Sequence, residues 1–312
     1  LNGHPYVSDA LREKVEQAMA DLDYRPSVAA RILSGAKSGQ VALIYDNHSP
    51  YYMFQIQKGC WDVCHENGIR LLAQPVDVAD PRVGDQVRGL VSETHVDGII
   101  LSATRFQDPR FELLHKTKIP FITLGRSQTD VGQPWYDLDF EGMAEDAMER
   151  LIAKGHRRIA ISRPHGDINL GHVFENHCRV VLARHGLELD AAHIYRSGPN
   201  EPGGYHVAQQ VMKSRERPSA IILLNEATVV GFYRGLQEVG LKPGKDIAVI
   251  GQYSPQAQFL NPVLTCFRPD LRSLGIALAE SLLATMPDLA QHYPEAVRRR
   301  LWPMTLIEGE SG

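Results

Sequence analysis

From Gly39 onward, short apolar runs alternate with longer segments in which apolar residues recur at helical spacing. Val41–Tyr45, Arg70–Ala73, Asp97–Leu101 and Pro120–Leu124 are the length of strands. They are largely aliphatic rather than alternating, the pattern of parallel strands covered on both faces. The segments between them, beginning with a helix from about Tyr51 to Asn67, are long enough for crossover helices. One doubly wound half is complete near Leu138. A second set follows, with helix Gly142–Lys154, strand Arg158–Ser162, a helix to His185, strand Ile194–Ser197, helix Tyr205–Arg215, strand Ala220–Asn225, a helix to Gly240 and strand Ile247–Gly251. Helix Leu271–Thr285 and a late strand, Leu301–Ile307, close the chain. The pattern predicts an α/β protein of two doubly wound lobes. No low-complexity linker separates them, so they should share an interface and a cleft.

The first 40 residues read differently. Ser8 is a good N-cap, Asp9 follows in the first turn, and Leu11, Val15, Ala18, Met19 and Leu22 recur on one helical side. This helix should end near Tyr24-Arg25-Pro26, because the residue before proline is pushed out of the helical region. Ser27 can cap a shorter segment, Val28–Leu33, that stops at Ser34-Gly35. From Tyr24 to Gln40 there are three cations, Arg25, Arg31 and Lys37, and no carboxylate. Phosphate-positioning groups and an apolar wedge for a minor groove are thus combined in one short stretch. Two surface helices packed on the next domain would give a similar pattern.

Composition sharpens this division. At about 150 residues per domain, 312 residues make two globular units. Against 37 carboxylates stand 33 Lys and Arg, a net charge of -4, so any nucleic-acid contact must be local. Four cysteines, Cys60, Cys64, Cys178 and Cys266, are too few for a disulfide framework, and a reducing, cytoplasmic setting is expected. No apolar stretch approaches the roughly 20 residues of a membrane span, and no signal-peptide pattern opens the chain.

Chemistry-bearing motifs are sparse. Neither G-x-G-x-x-G nor G-x-x-x-x-G-K-[ST] occurs, and the turn after the first strand, Asp46-Asn47-His48-Ser49-Pro50, is polar but lacks a glycine for close pyrophosphate approach. His156, His165, His172 and His177 stand near Cys178, yet His172 and His177 are five apart and share no helical face, so no metal is expected. Cys60 and Cys64 read as packing residues. No nucleophile elbow is present and nothing assigns a catalytic residue; neither cofactor nor enzyme activity is expected.

Several blocks in order resemble the lactose-repressor (LacI/GalR) family of bacterial transcription regulators. They are V-S-x-x-x-R-x-x-V at Val7–Val15, L-D-Y-R-P-S-V-A-A-R-I-L at Leu22–Leu33, D-G-I-I-L at Asp97, I-P-F-I-T-L-G-R at Ile119, L-I-A-K-G-H-R-R-I-A at Leu151, N-E-A-T-V-V-G at Asn225, G-K-D-I-A-V-I-G at Gly244 and N-P-V-L-T at Asn261. The resemblance implies a partial helix-turn-helix headpiece and hinge helix at 1–40. It further implies an N-terminal lobe at 41–138 plus 268–293 and a C-terminal lobe at 139–267 plus 294–312, of the periplasmic-binding-protein type. Leu1-Asn2 resembles the end of a recognition helix, which implies further headpiece residues upstream. By the same resemblance Asn2, Tyr6, Ser8, Ser27 and Arg31 would contact DNA, with Leu33 as the minor-groove wedge.

A small effector would then lie between the lobes, where the switch-point rule also places ligands. The matching positions are Asn47, Tyr52, Met53, Ser102, Arg126, Phe174, Asn225 and Tyr253. Asn225 carries both donor and acceptor for a sugar hydroxyl, although an asparagine at a strand end also forms turns. Two departures stand out: Phe174 replaces a ligand-anchoring arginine, with His177 three residues on, and Gly251-Gln252-Tyr253 replaces G-F-D. Phe174 and Tyr253 are therefore expected to stack on a carbohydrate ring. The implied protein is a dimeric, effector-responsive transcription repressor that binds operator DNA. The rival is a periplasmic-type sugar-binding protein with no DNA role.

Overall fold

In the computed structural model the described residues are 9–21, 37–46, 50–78, 80–296 and 298–312. Asp9–Asp21 forms helix α1, and two residues of its apolar stripe, Leu11 and Val15, are exposed. The shorter segment Val28–Leu33 and the residues Asn2, Tyr6, Ser8, Ser27, Arg31, Leu33 and Asn47 lie outside the described residues.

The aliphatic runs form two six-stranded sheets. In the first, β1 (Gln40–Asp46), β2 (Arg70–Val76), β3 (Gly98–Leu101), β4 (Phe121–Leu124), β5 (Trp135–Leu138) and β11 (Arg299–Trp302) lie in the order β11-β5-β4-β3-β1-β2, all parallel. In the second, β6 (Ile159–Pro164), β7 (Ile194–Ser197), β8 (Ala220–Leu223), β9 (Ala248–Gln252), β10 (Thr265–Pro269) and β12 (Met304–Ile307) follow β12-β10-β9-β8-β6-β7. Only the β10–β12 pair is antiparallel there.

Strand periodicity divides the core between helical layers. Val41 and Leu43 of β1 point to one face, packing in a cluster with Ile56 of α2 (Pro50–Glu66) and Leu274 and Leu278 of α9 (Leu271–Leu283). Ala42 and Ile44 point the other way, among Val87 of α3 (Val83–Thr94) and Phe111 and Leu114 of α4 (Pro109–Thr117). The second sheet is covered by α5 (Phe140–Ala153) and α6 (Asn169–Arg184) on one side, and by α7 (Glu201–Lys213) and α8 (Glu226–Glu238) on the other. Helices α2 and α9 cross closely enough to require glycine. A Cβ on Gly275 would meet the Ile56 carbonyl oxygen at 2.2 Å, and one on Gly59 the Arg272 carbonyl oxygen at 2.1 Å. Cys60 uses that proximity to donate its thiol to the Gly275 carbonyl at 3.3 Å.

The chain passes between the lobes at 138–140, 269–271 and 302–304. The last passage corrects the expected boundary. Leu301–Ile307, read as one strand of the C-terminal lobe, is two: Arg299–Trp302 extends the first sheet beside β5, and Met304–Ile307 extends the second beside β10. Pro303 stands between them; it has no N–H for a ladder and interrupts the apolar run there.

Candidate functional site

Both sheets direct the carboxyl ends of their strands toward a common cavity of about 160 Å³. The first lobe contributes Asp46 ending β1, Tyr52 and Met53 from the first turns of α2, Ser102–Thr104 after β3, Leu124–Arg126 from the end of β4, Asp137 on β5 and Phe140 opening α5. From the second come Ser162–Pro164 on β6, Ile168 and Leu170 at the start of α6, Ser197 on β7, Leu224–Glu226 after β8 and Gln252 closing β9. Parallel sheets expose backbone and loop groups at these ends, so both lobes present their ligand-capable faces to one space. Gly125, at φ +109°, brings β4 so close to Thr104 that a Cβ there would lie 2.4 Å from the threonine hydroxyl.

The polar lining is internally braced. Arg126 donates from Nε to Asp137 at 2.8 Å and from Nη2 to both Glu141 oxygens at 2.8 and 2.9 Å, with its guanidinium 5.6 Å from the Trp135 ring centre. Burial pushes the Asp137 carboxyl up to about 6, against the Arg126 hydrogen bond that favours its ionised form. Burial, then the nearby Asp137 and Glu226 charges, raise the Tyr52 hydroxyl far above its ordinary range, so it remains a protonated donor. Arg163 is 3% exposed and pairs through Nη1 with Glu175, while its Nε has no acceptor among the described residues. Asn225 caps α8, its Oδ1 accepting from Ala227 N at 3.0 Å. Its turn-forming and cavity-lining roles therefore coexist, because the cap uses the oxygen and leaves the amide nitrogen.

Of the eight effector residues named from sequence, Tyr52, Met53, Ser102, Arg126 and Asn225 line this one cavity. Asn47 lies outside the described residues. Phe174 and Tyr253 do not line it, which corrects the stacking expectation. Phe174 is wholly buried in the core with Cys178 and Val181, because positions 171, 174, 178 and 181 of α6 all turn toward the protein interior. Tyr253 packs against the opposite core under Arg268, whose guanidinium is 5.6 Å from its ring centre, while its neighbour Gln252 takes the cavity side. Phe140, Asp137, Arg163, Glu226 and Gln252 were missed. Their signal was position alone: polar or aromatic residues at the carboxyl ends of parallel strands or in the first turn of the next helix.

Three histidines on or beside α6 lie within hydrogen-bond distance of carboxylates: His172 of Asp167, His177 of Glu145 and His185 of Glu149, while His156 meets the Ser219 hydroxyl. Among the described residues no group of three or more His, Cys, Asp and Glu is placed to hold a metal ion, and no helix is long and apolar enough to cross a membrane.

Two parallel α/β lobes closing on a mixed polar and apolar cavity define a periplasmic-binding-protein-like domain, and the pattern of the family described as "Periplasmic binding protein-like domain" matches residues 148–312. That described as "Bacterial regulatory proteins, lacI family" matches residues 1–27, and the chain belongs to this family of transcription regulators. Relatives are similar along nearly all of it. The HTH-type transcriptional regulator AglR of Rhizobium meliloti is 29% identical over 98% of this chain and 87% of its own. The ribose operon repressor of Escherichia coli K12 is 27% identical over 100% and 94%. The structure of a transcriptional regulator CelR–cellobiose complex superimposes with a TM-score of 0.78 at 24% identity, over 100% of this chain and 93% of that one. These relatives are regulators rather than enzymes.

Proposed function

We propose that this chain is an effector-responsive regulator that binds operator DNA as a homodimer in the cytoplasm, and that its effector is a polyhydroxylated molecule about one sugar ring in size. The carrying observation is the cavity itself. About 160 Å³ is close to the ~150 Å³ known to admit a single benzene ring, and hydrogen-bonding groups reach it from both lobes. Tyr52 supplies a donor, Asp137 and Glu226 acceptors and Asn225 an amide, while Met53, Phe140, Leu124 and Leu224 offer apolar contact to ring carbons. A ligand touching both lobes favours their closed arrangement, and that preference is what lets it alter DNA affinity. The cellobiose bound by the structurally similar CelR supports a carbohydrate, and the names of AglR and the ribose operon repressor support transcriptional control.

Exposed aromatics support the dimer. Phe54 and Trp61 stand seven residues apart on one side of α2, exposed by 60% and 51%, and Phe259 is 81% exposed. Phe54 and Trp61 together make an apolar strip along α2, the kind of contiguous surface that a partner covers.

The test is a thermal-shift panel of D-ribose, D-glucose, D-galactose and cellobiose, followed by operator binding of the full-length protein across a salt series. One monosaccharide should raise the melting temperature and shift selective, salt-dependent DNA binding. Stabilisation by a sugar with no selective DNA binding would leave a sugar-binding protein; no stabilisation by any sugar would remove the carbohydrate reading.

A further inference from the structure

Between β3 and α4, residues 102–108 leave the first lobe and pair with the second. The Thr104 carbonyl accepts from Asn169 N at 3.0 Å, Phe106 N donates to the Asp167 carbonyl at 2.8 Å, and Arg105 and Ile168 form an antiparallel bridge. The Phe106 ring sits 4.5 Å from that of His172, which is itself tied to Asp167 at 2.6 Å. These contacts join the lobes at a place where the chain does not cross between them.

The first-lobe side of this junction is fixed from beneath by a fully buried ion pair. Asp108 and Arg110 are both 0% exposed and meet at 2.6 Å. Asp108 also accepts from Arg105 N at 3.0 Å, and its own N–H donates to Thr129 Oγ1 at 3.0 Å. Arg110 Nη2 donates to the Ala103 carbonyl at 2.8 Å, beneath a residue held at φ +52°, a conformation that non-glycine residues rarely adopt. The Phe106 carbonyl accepts from Gln128 N and from Ser127 Oγ. A buried ion pair is a weak source of net stability. This one has a geometric use, since its hydrogen bonds fix the carbonyls and amides of residues 103–105, the stretch that reaches across.

We propose that residues 102–108 form an interlobe clasp, positioned by Asp108 and Arg110, that closes one wall of the cavity and holds the two lobes together around the effector. Ala103, Thr104 and Ile168 line that wall, so opening the clasp opens the cavity. The role assigned to the ligand rests on the effector reading above; the clasp itself does not.

The test compares Asn169→Ala with Asn169→Pro. Asn169 is the first residue of α6, where proline is tolerated, and Ile168 before it already has ψ 128°, which suits a residue preceding proline. Both variants lose the side chain, and only the proline also loses the N–H that bonds Thr104. With equal melting temperatures confirming the fold, the Phe106 amide should exchange roughly tenfold faster in the proline variant, the factor one net hydrogen bond supplies. Equal exchange overturns the clasp. Should the proline variant fail to fold, Arg105→Cys/Ile168→Cys serves instead: directly opposed residues of an antiparallel bridge lie within disulfide reach, and the four native cysteines are buried. Oxidation should close the disulfide and slow Phe106 exchange, and failure to close it overturns the proposal. A sugar that binds should leave the proline variant about tenfold faster than the alanine variant; equal release removes the coupling while keeping the effector reading. If no sugar binds yet exchange differs, the clasp stands and the effector reading falls.

Discussion

Asp137→Asn should stabilise the protein at neutral pH while weakening effector binding. Asp137 is 5% exposed, and its carboxyl stands at about 6 against an ordinary 3.8. A hundredfold shift in ionisation corresponds to ~3 kcal/mol, the penalty at pH 7 for keeping the buried group charged despite Arg126. Because the folded state holds its proton more tightly than the unfolded chain, stability is greatest below about pH 4, falls as pH rises through 6, and is level above that. Asparagine mimics the protonated form and escapes the fall. The variant should therefore melt higher at pH 7 by about 5 °C, taking ~2 cal/mol/K of unfolding entropy per residue and one cooperative transition, with the difference vanishing near pH 4. Differential scanning fluorimetry of both proteins from pH 4 to 8 reads this directly. Parallel curves, or a difference that widens in acid, would refute the reasoning. The matching loss of sugar affinity, measured by calorimetry at pH 7, would place the carboxylate among residues retained for binding at the expense of stability.

Phe174→Ala should lower stability by about 3–5 kcal/mol, the usual loss for emptying a buried phenylalanine site, while calorimetric sugar affinity of the folded fraction stays unchanged; a selective loss of affinity would return this residue to the cavity. Gly275→Ala drives a methyl into the Ile56 carbonyl and should cost roughly 1–3 kcal/mol in urea denaturation, whereas an unaltered midpoint would mean that α2 and α9 separate freely. Phe54→Asp/Trp61→Asp should shift sedimentation of the whole protein toward the monomer, and an unchanged dimer would clear this face of α2.

The sheets were legible because strands covered on both faces carry no polar alternation to confuse with a surface helix: Val41–Tyr45 and Ala220–Asn225 bound β1 and β8 within two residues. Leu301–Ile307 misled for the same reason, since an apolar run does not reveal which sheet receives each half, and only Pro303 marked the break. At the site, the positions named from the resemblance reach the cavity where they directly follow a strand end, as with Ser102 and Arg126. The resemblance failed at Tyr253, where a displacement of one residue exchanges cavity for core. The helical spacing of Phe174 with Gly171, Cys178 and Val181 was present in the sequence, and aligning it with a motif position concealed its inward-facing stripe. Arg163 could not be foreseen from its neighbours, because the carboxylate that holds it, Glu175, comes from the following helix.

The passage from Arg299–Trp302 to Met304–Ile307 also bears on how the molecule is made. Each sheet takes an outermost strand from this stretch, and the last residues insert deeper still, with Ser311 bonded to Val249 and Thr265. During synthesis neither lobe can complete its sheet until this late stretch has emerged, so the first lobe waits on a strand encoded after most of the second. Order of translation and order of folding are thereby uncoupled: both lobes reach their final edges within the same few residues, and damage near residue 300 is felt in both halves at once.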